Sequence, residues 1–433
     1  MTPSIRRRGF LTALGTATLA GCIGDDDGDD GTPVTPVPGS WSSYDEVGPA
    51  ELDIGTPTAE VNLEVTVEPV VEHLEIPWDL DFDSDGNIYL TERTGQILRF
   101  DADELEEVGV PSDAIDAGSG EQDWWVPGGE GGTLGIAVSP GDDYVFVYYT
   151  ANVGGIENRV VRYPIEGDGL GTEEVIIDEI PADSIHNGGR IDFGPDGYLW
   201  ITTGDAGEVE LSRDPDSLAG KILRVDEDGE PAADNPDIGG DPRIFAGGIR
   251  NSQGIDWIDE VPLITDHGGT AHDAISVLYP GADYGWPMVR GENEDNYEDH
   301  PEIVPPLAMR TDRSWATSGG TWYTGGALET WSNRFVVGTL AYQSVLVVTL
   351  TPPGETPPSG GTTYDQDHFD QAATATVHDA LQDEIGRVRL LEQGPNGELY
   401  AITSNRDGRA DFNVDEPTFP LDTDDRLLRI VTK

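Results

Sequence analysis

At 433 residues the chain is long enough to bury a sizeable core, as two or three domains or as one large all-β fold. Its 83 Asp and Glu against 24 Lys and Arg give a formal net charge of −59, which would repel a polyanion and excludes nucleic acid as a partner. A hydrophobic fraction of 36%, with 10 Trp, 14 Tyr and 10 Phe, excludes a disordered acidic tail. Lysine occurs only as Lys221 and Lys433; every other cation is arginine. This composition reads as adaptation to a salt-rich (halophilic) environment, where an acidic surface stays hydrated and its self-repulsion is screened within about 3 Å at 1 M salt. An acidic protein from ordinary salt is the plainer alternative, and in both readings most carboxylates serve surface solvation.

The first residues read as a targeting segment. RRRGFL (residues 6–11) precedes a short apolar run that ends in LAGC, with the chain's single cysteine at Cys22. The run is too short to span a bilayer. Together these features resemble a twin-arginine lipoprotein signal, which implies export in a folded state, lipidation of Cys22 and anchorage at the outer face of the cytoplasmic membrane. One cysteine excludes disulfides and cysteine-based zinc, haem or iron–sulfur sites. The expected division is a signal over residues 1–22, an acidic Pro/Gly tether over 23–50 and a folded body over 51–433.

Within the body a unit repeats. LDFDSDGNIYLTE (residues 80–92) reads as strand, D-G turn and strand, and it recurs as IDFGPDGYLWIT (191–202) and LEQGPNGELYAI (391–402). Looser copies lie at 136–150, 255–265 and 321–340. Six such hairpins, spaced by roughly 50 to 75 residues with little helical periodicity between them, predict a six-bladed β-propeller. A sandwich or β-helix would show shorter, more regular spacing. The last blade is expected to close by pairing residues 427–431 with an early strand around 63–70.

Between the repeats lie segments rich in glycine and in chemistry-bearing side chains: DSIHNGGR (183–190), GIRNSQG (248–254), TDHGG (265–269), SWATSG (314–319) and GRVR (386–389). Such loop-to-strand junctions are where backbone approaches ligands closely. With IPWDL (76–80), TERTGQI (91–97), GEGGTLGIA (129–137), TGD (203–205) and DYGWP (283–287), these segments resemble the pyrroloquinoline-quinone-dependent soluble sugar dehydrogenases, the glucose/sorbosone or aldose dehydrogenase family, in the right order over roughly residues 60–430. The resemblance implies a six-bladed propeller that oxidises an aldose or related sugar to the lactone by hydride transfer to the quinone (PQQ). His186 would be the general base, apt because imidazole titrates near working pH. Arg250 would stabilise negative charge on the reduced ring.

The same resemblance implies cofactor contacts from Glu130, Arg250, Asn251, Gln253, Ser314, Arg387 and Arg389. On a regular strand Arg387 and Arg389 would alternate faces, unless a bulge or a strand end intervenes. The family's Ca²⁺ is held largely by two consecutive backbone carbonyls, which fall at Gly268 and Gly269, with Asp273 nearby to support the loop or the ion. The chain departs from the family pattern at Ile185, where the glucose-oxidising members carry aspartate, and at Glu130, where glutamine is expected. It also has no lysine near Ala341, Gly269 in place of a proline, and His267 and His272 in the metal loop. With no C-x-x-C-H haem motif, electrons would leave to a separate acceptor. Two alternatives remain: a non-catalytic sugar- or surface-binding propeller, and a Ca²⁺-dependent lactonase propeller, which would need side-chain carboxylate and Asn ligands at the channel where these segments supply mostly Arg, Asn and glycine backbone.

Overall fold

The computed structural model describes residues 40–55, 60–102, 104–115, 117, 129–269, 271–289, 296–407 and 418–433. The described residues form six antiparallel sheets. Each predicted hairpin supplies the first two strands of one sheet: Pro77–Phe82 with Ile88–Glu92, Thr133–Val138 with Tyr144–Asn152, Ile191–Phe193 with Leu199–Thr202, Ser252–Ile258 with Val261–Asp266, Thr317–Tyr323 with Arg334–Thr339, and Val388–Gln393 with Leu399–Thr403. Gly86, Gly197 and Gly397 take φ of 86°, 78° and 84° in the turns, the left-handed conformation that these hairpins demand. The first strand of each sheet touches the first strand of the next, and the sixth returns to the first, so the sheets are blades of a six-bladed propeller around a central channel.

Blade strands packed between two neighbouring blades lose their alternation because both faces are covered. Val345–Thr351 (VLVVTLT) is buried at every position. Polar stitches cross from blade to blade beside the channel. Thr202 Oγ1 donates to the Ser252 carbonyl at 2.8 Å and Thr265 Oγ1 to the Ser318 carbonyl at 2.9 Å, with Thr91 making the equivalent bond to Leu134. Carboxylates on the first strands accept from the next blade: Asp79 from Ile136 N–H at 3.0 Å, Asp81 from Val138 N–H at 2.7 Å and Asp256 from Trp322 N–H at 2.6 Å. The ring closes as expected, since Leu427–Thr432 pairs with Val65–Val71 in the sixth sheet, which therefore holds the first and last strands of the ring.

The body begins earlier than residue 51. Residues 40–55 run as a strap over the third to fifth blades, where Ser42 bridges Ala282 and Ser40 N–H bonds the Ile238 carbonyl. Tyr44 and Leu52 pack on the large core cluster of those blades. Residues 40–50 are expected in the tether because the sequence there is polar and non-repetitive; its anchors are two single aromatic residues, Trp41 packed on the core cluster of the second and third blades and Tyr44 on that of the later ones, which hydropathy does not score. The signal segment, Cys22 and the tether up to residue 39 lie outside the described residues, and no helix among the described residues is long and apolar enough to cross a membrane.

Asp370 fastens the strap. Its buried carboxylate accepts the Tyr44 hydroxyl at 2.7 Å, the Tyr279 hydroxyl at 2.9 Å and the Ala372 N–H at 2.8 Å. Asp370→Ala strands two tyrosine hydroxyls, and denaturant unfolding at fixed salt is expected to show a loss of about 2 kcal/mol. A change below about 0.5 kcal/mol, the range of an ordinary surface substitution, would mean that the strap contributes nothing.

Candidate active site

The loops that precede the innermost strands all open at one end of the channel, and the candidate side chains sit on them. His186 takes φ of 56° and is buried to 3% exposure. Its backbone N–H donates to Glu130 Oε2 at 3.0 Å, so Glu130 holds the loop that carries it. Its ring Nδ1 lies 2.7 Å from Asp205 Oδ1. A carboxylate only accepts, so Nδ1 carries the proton and Nε2 is the basic nitrogen. Asp205 is fully buried, and its Oδ2 accepts the Trp286 indole N–H at 2.8 Å. Burial pushes this carboxyl up, yet the His186 hydrogen bond, the nearby His186 and Arg250 charges and the Gly207 N–H together hold it below the ordinary range.

Around this pair stand buried guanidinium groups. Arg250 lies over the Trp286 ring at 5.3 Å, and its Nη1 meets the His267 carbonyl at 3.4 Å. Arg190 pairs with Asp79 and stacks on Trp78 at 4.3 Å; Arg389 approaches the same ring at 5.7 Å. Arg93 donates to the Gly129 and Gly131 carbonyls, the latter at 2.9 Å. The register shift between Val388 and Leu390 is the bulge that lets Arg387 and Arg389 both turn inward, at 2.8 and 4.0 Å from Asp407 Oδ2. Burial lowers the Arg389 pKa to about 9, with Asp407 opposing and Arg387, Arg93 and Arg190 adding to the shift. Its Nη1 donates to Gln253 Oε1 at 2.6 Å, while its Nε and Arg190 Nη2 are buried with no hydrogen-bond partner among the described residues. A set of desolvated cations with donors left over fits a compact multivalent anion such as a quinone bearing carboxylates. Asn251 uses Oδ1 on Gly188 N–H at 2.9 Å, and so ties the histidine loop to the arginine loop.

Gly268 and Gly269 line a small cavity of about 40 Å³ with Arg250, Asp266, His272 and Trp286. His186, Arg387 and Arg389 do not line it; Arg250 belongs to both places, so the cavity is the flank of the site and the channel mouth its centre. Asp273 spends its carboxylate on the protein. Oδ2 accepts the Ser314 hydroxyl at 2.7 Å and the Trp315 and Ala316 N–H groups at 2.7 and 3.0 Å, and Oδ1 accepts the Gly268 N–H at 3.2 Å. It braces the glycine loop, and Ser314 serves the same brace. No cluster of three or more His, Cys, Asp or Glu suited to a metal occurs among the described residues.

The match of residues 74–412 to the Glucose / Sorbosone dehydrogenase family spans most of the propeller. The chain belongs to this family. It is 30% identical to the PQQ-bound aldose sugar dehydrogenase of Streptomyces coelicolor, covering 87% of this chain and 99% of that one with a TM-score of 0.68. It is 28% identical to the aldose sugar dehydrogenase of Escherichia coli strain K12, over 79% of this chain and 91% of the relative. Against quinoprotein glucose dehydrogenase B of Acinetobacter calcoaceticus it is 27% identical, over 52% and 53%.

Within this family frame the structure gathers His186, Arg250, Gln253, Arg387 and Arg389 at one mouth. It also supplies residues the sequence reading passed over. Asp205 stood in the quoted TGD segment, but among 83 acidic residues nothing marked it as the partner of a histidine 19 positions earlier. Asp407 and Asp79, the counter-ions, were equally unmarked. His267 was noted only as a departure; its ring is 7% exposed, with Nε2 buried and unpartnered among the described residues. Burial, with Arg250 and Arg389 against the pull of Asp273 and Glu130, brings its pKa down to about 4, so the ring is neutral.

Because the folded pKa of Asp205 lies below the unfolded one, its charge stabilises the fold above the ordinary carboxylate range, and that contribution is lost as pH falls through the lowered value. The unfolding free-energy difference between wild type and Asp205→Asn is therefore expected to be constant above about pH 5 and to shrink in acid, as read by denaturant titrations across about pH 3 to 6. A difference that grew in acid would contradict this electrostatic assignment.

Proposed function

We propose that the chain oxidises an aldose, or a related sugar with a free hemiacetal hydroxyl, to its lactone, with pyrroloquinoline quinone as cofactor and His186 as general base. The observation that carries this reading is the buried His186–Asp205 pair, with Nε2 as the basic nitrogen, set in the same channel mouth as Arg250, Arg387 and Arg389. A sugar-binding propeller has no use for an oriented base beside clustered guanidinium groups, and the quinone of the Streptomyces relative supports the cofactor choice.

When bound, the quinone supplies the two-electron acceptor for the hydride that leaves the sugar carbon. Arg387, Arg389 and Gln253 would hold it, with Arg190 adding positive charge beneath. His186 Nε2 takes the proton of the reacting hydroxyl, and Asp205 stabilises the imidazolium that forms while fixing the ring's orientation. The Arg250 guanidinium, braced over Trp286, stabilises negative charge as it develops at the reacting centre. His267, neutral, has its Nε2 buried with no hydrogen-bond partner among the described residues and so offers a further hydrogen-bonding nitrogen. We assign any Ca²⁺ to the Gly268 and Gly269 carbonyls, with Asp273 and Ser314 as the brace behind them. Lipidation of Cys22 and twin-arginine export would place the protein on the outer face of the cytoplasmic membrane of a salt-adapted cell, where a separate carrier collects the electrons.

The test is reconstitution of the chain from residue 40 onward at molar salt with pyrroloquinoline quinone, Ca²⁺ and a panel of aldoses, with dye reduction as the readout. Sugar-dependent reduction is expected, lost in His186→Ala and reduced about 100-fold or more in Asp205→Asn. Failure to bind the quinone at any salt would overturn the reading. In a separate titration, Arg389→Met is expected to weaken quinone binding by about 10-fold or more, since it removes a charge-assisted contact. Unchanged affinity would remove Arg389 from the cofactor site.

A further inference from the structure

A second cleft lies away from the channel mouth. It holds about 410 Å³, open on one side, between the segment that crosses from the fourth blade to the fifth and the strand Thr362–Tyr364. That is within the ~300–1,000 Å³ typical of small-ligand sites. The fifth sheet carries one strand beyond the four of a plain blade, and this extra edge strand forms the cleft's outer wall.

The lining has a definite chemistry. Trp315, Tyr364 and Phe369 form its base, almost wholly buried, and the Trp315 indole N–H has no hydrogen-bond partner among the described residues. The charged groups are already engaged: Arg310 Nε donates to Asp312 Oδ1 at 2.6 Å, and Asp379 Oδ2 accepts the Tyr342 hydroxyl at 3.1 Å. The cleft is therefore no cation trap, despite the acidity of the chain. Thr311, Thr363 and Gln366 also line it; the Thr363 hydroxyl shares a hydrogen bond with the Thr376 hydroxyl at 3.2 Å and Gln366 Nε2 donates to Asp365 Oδ1 at 3.0 Å, but hydroxyl and amide groups both donate and accept and so keep capacity for a ligand. Hydroxyl and amide groups beside a largely buried aromatic patch match a polyhydroxylated ring, whose hydroxyls both donate and accept.

We propose that this cleft is an accessory pyranose subsite, separate from the catalytic channel. The choice of sugar rests on the dehydrogenase reading; the cleft's polarity does not. The cleft is also wired to the catalytic flank. Met309 lines both it and the cavity beneath Gly268 and Gly269, and Asp273 grips the Trp315 N–H with one oxygen and the Gly268 N–H with the other. A sugar seated on Trp315 thus bears on the brace of the glycine loop.

The experiment uses the chain from residue 40 onward at molar salt without quinone, titrated with methyl glucoside and methyl galactoside, which lack a free hemiacetal and are not oxidised. Saturation-transfer NMR and calorimetry read the binding. Binding of at least one glycoside is expected, weakened about 10-fold in the Thr363→Val/Gln366→Ala double variant and unchanged in Arg250→Ala, with unfolding midpoints matched across the proteins. No binding of either glycoside, or binding lost in Arg250→Ala but kept in the double variant, overturns the subsite. The dehydrogenase reading is judged separately by quinone-dependent turnover, which this titration does not involve.

Discussion

Closing six sheets into a ring forces the beginning of every innermost strand onto one axis, and the site depends on that constraint. Residues far apart in sequence, such as Asp79, Arg190, Gln253 and Arg389, meet only because four different blades deliver them to the same channel. The inter-blade bonds of Thr202, Thr265, Asp81 and Asp256 hold the radial spacing on which those contacts rely. Chemistry and closure therefore share the same strands: Ser252–Ile258 receives a stitch from Thr202 near its start, presents Gln253 to the channel, and grips the fifth blade through Asp256.

Charge is distributed with equal economy. A chain with 24 basic residues against 83 acidic ones brings Arg93, Arg190, Arg250, Arg387 and Arg389 into the channel mouth, all nearly or fully buried. Desolvated cations repel one another, and neighbouring carboxylates, Asp79, Asp205, Asp266 and Asp407 among them, offset that cost. The guanidinium groups are what an anionic ligand would meet there, inside a body whose exterior repels anions. Acidity reaches the interior as well, where Asp79, Asp205, Asp273, Asp370 and Asp407 are buried and each is engaged by an arginine, a histidine or hydrogen-bond donors.

The hairpins were legible because D-G and N-G turns leave local signatures, and those hairpins are the channel-facing pair of each blade. The outer strands were harder to read: Val345–Thr351 is buried on both faces and shows no alternation, and Thr362–Tyr364 is a short edge. Among site residues, motif-borne side chains such as His186 and Arg250 were visible, whereas Asp205 and Asp407 matter through pairings that only folding creates. The pair Arg387 and Arg389 shows the limit most clearly. Strand periodicity sets them on opposite faces, and one irregularity at Val388 to Leu390 reverses that, a feature with no marker in the sequence. The strap escaped notice for a different reason, because Tyr44 and Trp41 anchor it singly, without any period to detect.

The clasp of the sixth blade also orders events in time. Glu68 on its outer strand pairs with Arg429, 361 residues later, so the earliest strand of the body has no partner until nearly the whole chain exists. Contacts of such high sequence separation form late, because loop-closure entropy must be overcome before any of them is rewarded. During synthesis the nascent chain would carry five blades with an open side and an unpaired, Val-rich strand. Assembly thus ends with one zippering step at the C-terminus, and until then the ring that aligns the channel residues is incomplete.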